Sequence, residues 1–198
     1  MKNNDDWNDC YREGQMPWDT GRPSPELQMA ISRYEIQPCR AIEFGCGTGT
    51  NCIWLAQQGF QVTGIDVAPL AVKQAQQRAS AVGMEIEFLA ADLTALPSPA
   101  VLNKFFFDRG CYHAVRRTDA AGYVSAASRQ LVDGARGFIL AGNAREPHVP
   151  GPPVVAEKEL REELGVAFEI LDLREFYFDE VPGVTDRFLG WACLVAKR

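Results

Sequence analysis

The run Arg40-Ala-Ile-Glu-Phe-Gly-Cys-Gly-Thr-Gly-Thr50, answered by Gly64-Ile-Asp66, constrains this chain more than any other stretch. Apolar, β-prone residues enter a turn with glycines at 45, 47 and 49, and Asn51-Cys-Ile-Trp-Leu-Ala56 then reads as a helix. Glycine allows left-handed backbone and close approach to a ligand, at the point where a helix N-terminus presents unpaired N–H groups. Asp66 ends the next strand-like run, Phe60-Gln-Val-Thr-Gly-Ile-Asp66, 17 residues beyond Gly49. A carboxylate there can accept both hydroxyls of a ribose, as an acid at the second strand's end does in adenosine-binding α/β folds.

The spacing separates cofactors. A dinucleotide fingerprint counted from Gly45 needs glycine at position 50, where this chain has Thr50, and a phosphate-cradling P-loop needs a lysine that Gly49-Thr50-Asn51 lacks. What remains is Glu-x-Gly-x-Gly-x-Gly, carried by Glu43, Gly45, Gly47 and Gly49. It resembles the first motif of class I S-adenosylmethionine-dependent methyltransferases. The resemblance implies an α/β, Rossmann-like fold: a mostly parallel seven-stranded sheet of order 3-2-1-4-5-7-6, one strand of the closing pair antiparallel, helices on both faces.

Length and composition fit one domain, residues 1–198, with residues 1–35 as an N-terminal lid and helix and 36–198 as the Rossmann-like core. No apolar run reaches the roughly 18 to 20 residues that span a bilayer, and Met1-Lys-Asn-Asn-Asp-Asp-Trp7 is too acidic for a signal peptide, so a cytoplasmic protein without a membrane partner is expected. The six cysteines form no Cys-x-x-Cys pair and only His113 and His148 are available beside them, so no metal site is expected. A net charge of −6 argues against nucleic acid as a partner, and Arg116-Arg117 is too short a basic patch to reverse that.

Strand-like and helix-like segments alternate along the chain, as in a parallel sheet with crossover helices. Strands are expected at 40–45, 60–66, 85–90, 104–109, 136–142, 168–174 and 188–196. Pro69 opens a helix that Gly83 closes, Ser24-Pro25-Glu26 caps one running to about Tyr34, and Thr118 is the expected cap of the helix before the fifth strand. Residues 157–164 read as a short helix, and the four prolines between Glu146 and Pro153 as a loop that could cover the substrate.

In the family resembled, the third strand ends in an acid that, with adjacent backbone, meets the adenine; Asp92-Leu93 stands there, and a turn-capping aspartate is the alternative. Ligands of open α/β sheets sit outside the carboxyl ends of the strands, so residues 108 to 113 are expected to face the sulfonium and the acceptor. This makes Asp108 a cofactor-binding candidate and Tyr112 and His113 catalytic candidates, His113 because an imidazole with a pKa of ~6.5 accepts a proton near neutrality. A histidine satisfying backbone groups at a helix start is the alternative. Cys111 reads as packing.

Residues 7 to 25 mix aromatic and turn residues: Trp7-Asn-Asp-Cys-Tyr11, then Gly14-Gln-Met-Pro-Trp18-Asp-Thr-Gly-Arg22. The block resembles the N-terminal segment of halide and thiol methyltransferases of the thiopurine methyltransferase superfamily. There three aromatics line the cofactor pocket, and they match Trp7, Tyr11 and Trp18, with Tyr11 replacing the usual tryptophan. A purely packing role for Trp7 and Trp18 is the alternative. The expectation is an S-adenosylmethionine-dependent methyltransferase of a small-molecule acceptor, a soft nucleophile such as a thiol, selenide, telluride or halide. Two other readings stay open: an O- or N-methyltransferase with His113 as base, and a non-catalytic S-adenosylmethionine-binding module.

Overall fold

Apolar runs alternating with helical segments build one eight-stranded sheet, seen in a computed structural model that describes residues 4–146, 152–179 and 187–198. The strands are β1 (Arg40–Phe44), β2 (Gln61–Asp66), β3 (Glu87–Ala90), β4 (Asn103–Arg109), β5 (Leu131–Asn143), the two-residue β6 (Val154–Val155), β7 (Phe168–Tyr177) and β8 (Leu189–Lys197). The helices are α1 (Asn4–Glu13), α2 (Pro25–Arg33), α3 (Thr50–Gln57), α4 (Pro69–Ala81), α5 (Cys111–Arg129) and α6 (Glu157–Leu164). The sheet order is β3-β2-β1-β4-β5-β8-β7, with β6 paired to β5 beside this path. Setting β6 aside, this is the expected order, and β8 is the antiparallel strand, pairing so with both β5 and β7.

Strand β4 shows why the sheet sits between two helical layers. Phe105, Phe106 and Phe107 are all fully buried, and because successive side chains point to opposite faces, Phe106 packs under α5 and α6 while Phe105 and Phe107 pack under α2 and α3. Burial of each ring contributes about 2 to 3 kcal/mol. The central strands are thereby fixed, and with them the loops at their carboxyl ends.

Four local expectations are corrected. Ser24 holds the N-cap position of α2, but its hydroxyl makes no cap bond; Pro25 begins the helix and the Ser24 N–H donates instead to Asn51 Oδ1 at 2.9 Å. Thr118 is not the cap before the fifth strand. The helix starts at Cys111 and is broken at Asp119 (φ −152°), whose carboxylate caps the second half by accepting from Gly122 N–H at 2.7 Å. Aspartate wins because its short acceptor reaches the exposed N–H groups of the restarting turn. The fifth strand begins at Leu131 rather than 136, carrying a bulge where Gly134 has φ +74°. Strand β7, expected to end at 174, runs on to Tyr177. Residues 147–151 of the proline-rich loop and 180–186 of the β7–β8 connection lie outside the described residues.

Candidate functional site

The glycine turn leaves β1 with φ +65° at Gly45, +53° at Gly47 and +79° at Gly49. At Gly45 the need is also steric, since a Cβ there would stand 2.8 Å from the Cβ of Cys111 at the start of α5. A side chain would push apart the two turns that line the cleft. The loop is closed by Cys46 N–H donating to Ile65 C=O and Gly49 N–H to Cys46 C=O, each at 2.9 Å, and no side chain caps the first turn of α3. Unpaired N–H groups at that helix start favour a polar or anionic ligand group.

Three buried carboxylates hold this end of the sheet. Glu43, 1% exposed, points beneath the loop: Oε1 accepts from the Asn51 amide at 2.9 Å and Oε2 from the Cys52 thiol at 2.8 Å. Burial pushes its pKa up to about 7 against the lowering effect of those two donors. Asp66 accepts from Gly47 N–H through Oδ2 and from Ala68 N–H through Oδ1, both at 2.9 Å, and its pKa is raised by burial. Two donors leave lone pairs on the Asp66 carboxylate for further hydroxyls. Asp108 is fully buried and accepts from Cys111 N–H (2.9 Å), Tyr112 N–H (2.9 Å) and Tyr123 Oη (2.7 Å); burial again raises its pKa to about 7.

The aromatic block folds over the loop. Trp7 and Tyr11 lie one turn apart on α1, and both meet Trp18 edge-on, with ring centroids 5.4 and 6.1 Å away. Tyr11 Oη lies 3.1 Å from where a Cβ on Gly47 would stand. Its pKa is raised, first by burial and then by the nearby Asp66 carboxylate. The cluster is tied to the core at each end. Asn8 Oδ1 accepts from Leu70 N–H at the start of α4 (3.0 Å), Thr48 Oγ1 donates to Asp19 Oδ2 (2.8 Å), and Arg78 pairs with Asp19 at 3.4 Å.

The turn after β4 departs from expectation. Tyr112 is fully buried in the core, and its hydroxyl donates to Glu163 of α6 at 2.8 Å, where Arg116 forms a bidentate pair with the same carboxylate. The structure does not bring Tyr112 into the cleft. His113 is 7% exposed and Nδ1 accepts from Gly142 N–H at 2.8 Å; burial, with Arg109 nearby, lowers its pKa to about 3. The neutral ring thus has its lone pair occupied by β5. Asp92 is exposed and caps the 3-10 turn Leu93–Ala95, accepting from the Thr94 N–H (2.9 Å) and hydroxyl (2.8 Å), while Leu93 is buried behind it.

Sequence reasoning passed over Asn51 and Cys52, which hold Glu43, and Asn8, Asp19 and Arg109, which hold the N-terminal segment. Asp19 and Arg109 sit inside blocks already singled out, Pro17-Trp-Asp19 and Asp108-Arg-Gly110, so a charged side chain within one or two residues of a glycine was the available signal.

Comparison with known proteins agrees with this geometry. The profile of the family described as Thiopurine S-methyltransferase (TPMT) matches residues 2–187. A 2-heptyl-1-hydroxyquinolin-4(1H)-one methyltransferase of Mycobacteroides abscessus is 28% identical over 149 residues, 74% of this chain and 65% of the relative. A thiopurine S-methyltransferase of Pseudomonas fluorescens is 28% identical over 140 residues, 63% of each chain. The match thus spans just under two thirds of the length of these curated relatives. A solved structure described as the conversion of a disulfide bond into a thioacetal group during echinomycin biosynthesis has a TM-score of 0.84 and 23% identity, covering 98% of this chain and 92% of that one; at that identity it shows the fold. With the glycine turn, the sheet order and the profile match in agreement, this chain belongs to the thiopurine S-methyltransferase family of class I S-adenosylmethionine-dependent methyltransferases.

Proposed function

We propose that this chain methylates a small molecule at a soft nucleophile, a thiol or a related chalcogenide or halide, with S-adenosylmethionine as donor. One observation carries the reading: the clustered rings of Trp7, Tyr11 and Trp18 beside the glycine turn, with the Tyr11 hydroxyl over Gly47. Electron-rich ring faces attract a sulfonium by about 0.5 to 2 kcal/mol.

When bound, the donor supplies a methyl group on a positively charged sulfur. In this reading Asp66 accepts the ribose hydroxyls, and Asp92 and Leu93 flank the adenine. The backbone around Gly45, Gly47 and Gly49 receives the polar tail, and Glu43 holds that loop from below through Asn51. Asp108 keeps the start of α5 against the loop rather than touching the ligand. The aromatic cover excludes water and holds donor and acceptor together, which is most of what an in-line displacement requires. A thiol with a pKa of ~8.5 is partly ionised near neutrality, so no base is demanded of the chain. Tyr112, whose hydroxyl donates to Glu163, and His113, whose Nδ1 accepts from Gly142 N–H, are proposed as supports of the acceptor wall.

A second reading, an oxygen or nitrogen acceptor, draws on the similarity to the hydroxyquinolinone methyltransferase. One assay separates the readings: incubation with S-adenosylmethionine and a panel of thiols, halides, chalcogen oxyanions, phenols, N-hydroxy heteroaromatics and amines, scored by the demethylated donor formed. Turnover highest with thiols or chalcogens is expected. Turnover confined to oxygen and nitrogen acceptors would overturn the soft-acceptor reading, and none with any acceptor would point to a binding module.

A further inference from the structure

Arg109 ends β4 between Asp108 and the left-handed Gly110, so the chain turns away immediately and the guanidinium is left at the carboxyl edge of the sheet. Its side chain is only 14% exposed. It spans two segments that are far apart in sequence. Nη1 donates to the Trp18 carbonyl at 2.8 Å, and Nη2 donates to Asp179 Oδ1 at 2.9 Å in an ion pair whose carboxylate side chain is 15% exposed. The guanidinium also lies 5.4 Å from the centroid of Phe178, whose ring meets Phe176 at a tilt of 60° with centroids 4.6 Å apart and whose N–H donates to Phe188 C=O. One side chain therefore holds the aromatic cover on one flank and the end of β7 on the other.

We propose that Arg109 is a positioning residue that fastens residues 16–24 and residues 178–179, just beyond β7, to the end of β4 as one unit, so that the aromatic cover over the donor and the end of β7 are held together. The planar guanidinium suits this because its donors lie in a fixed fork and reach two acceptors at once. The ion pair is shielded, so breaking one partner strands the other and loosens both attachments. The functional consequence rests on the reading proposed above; the coupling itself does not.

Hydrogen–deuterium exchange on the free protein tests the coupling without any ligand. In Arg109→Gln, amides of residues 16–24 and 173–179 should exchange at least tenfold faster, with β1 and β2 unchanged. Asp179→Asn should speed residues 16–24 although Asp179 does not touch them, and the double variant should be no faster than Arg109→Gln alone. Arg109→Lys, which keeps the charge but not the fork, should fall between wild type and Arg109→Gln. In turnover assays Arg109→Gln should raise the KM of both donor and acceptor about tenfold. Wild-type exchange at residues 16–24 in Asp179→Asn, or additive effects in the double variant, would overturn the proposal and leave Arg109 an ordinary ion pair. Coupled exchange in a protein that transfers no methyl group would support the fastening and overturn the functional reading instead.

Discussion

Strands β1 and β4 run side by side with Phe44 opposite Asp108, and each ends in a buried acid, a glycine with positive φ and a helix, yet the two turns are wired in opposite ways. At β4 the acid spends itself on the backbone: Asp108 takes the N–H groups of Cys111 and Tyr112, closing the helix start. At β1 the acid turns beneath the loop to side chains, Asn51 and Cys52, and no side chain caps α3. A helix start consumed by its own strand's carboxylate cannot also bind a ligand. The longer glycine turn of β1 keeps its polar backbone available, and the aromatic cover folds over that turn. Similar sequence grammar thus yields one turn closed on its own helix and one whose backbone stays open, the turn proposed to receive the donor.

The sharpest way to break this contrast is to remove Asp108. Asp108→Ala leaves two buried N–H groups and the Tyr123 hydroxyl without their acceptor, so urea unfolding should show a loss of about 3 kcal/mol or more. Donor affinity of the folded fraction should stay within about threefold. A large loss of affinity at unchanged stability would make Asp108 a ligand contact after all.

Next is the pH response of Glu43, whose carboxyl holds its proton up to about pH 7 in the folded chain but releases it near 4.5 when unfolded. The folded state therefore binds more protons across that window, and this contribution to stability is lost as pH rises through 7. Glu43→Gln removes the titration, so its stability relative to wild type should climb between pH 5 and 8 by about 2 to 3 kcal/mol. His113 acts in the reverse sense: held neutral down to about pH 3, it costs stability as pH falls below its ordinary value of 6.5. A pH-independent difference between Glu43→Gln and wild type would show that the carboxylate is ionised in the fold.

A smaller effect is expected from Asp66→Ala. It should weaken donor binding ten- to a hundredfold, about 1.4 to 2.8 kcal/mol, with the Gly47 N–H losing its acceptor as well. Smallest is His113→Asn. Its side-chain oxygen can stand in for Nδ1 toward Gly142, so stability should fall by about 1 kcal/mol and turnover stay within threefold. A hundredfold loss of turnover with donor binding intact would restore His113 as a base.

The framework was legible in the sequence where a periodic signal ran through several residues. Apolar strand runs, the glycine turn and the prolines at helix starts led to most element positions, while the strand order came from the family resemblance that the glycine motif carries. The site was legible only in part. Trp7, Tyr11 and Trp18 do come together beside the glycine turn, because two lie one helical turn apart and the third follows a tight bend. The direction of Glu43 and the burial of Tyr112 were not legible, since each is decided by partners eight and 51 residues away. At Thr118 and Asp119 two good caps stood adjacent and only the kink chose between them. Asn8 capping α4 across 62 residues leaves no local trace at all.

The β1 turn under its aromatic cover is proposed to bind a positively charged adenosyl sulfonium. Isothermal titration of wild-type protein and of Trp18→Ala with S-adenosylmethionine and with its uncharged demethylated product tests it most directly. Saturable binding by wild type is expected, and in Trp18→Ala a loss of roughly three- to thirtyfold for the charged donor with a smaller loss for the product. No binding of either ligand at millimolar concentration, or equal losses for both in Trp18→Ala, would contradict it.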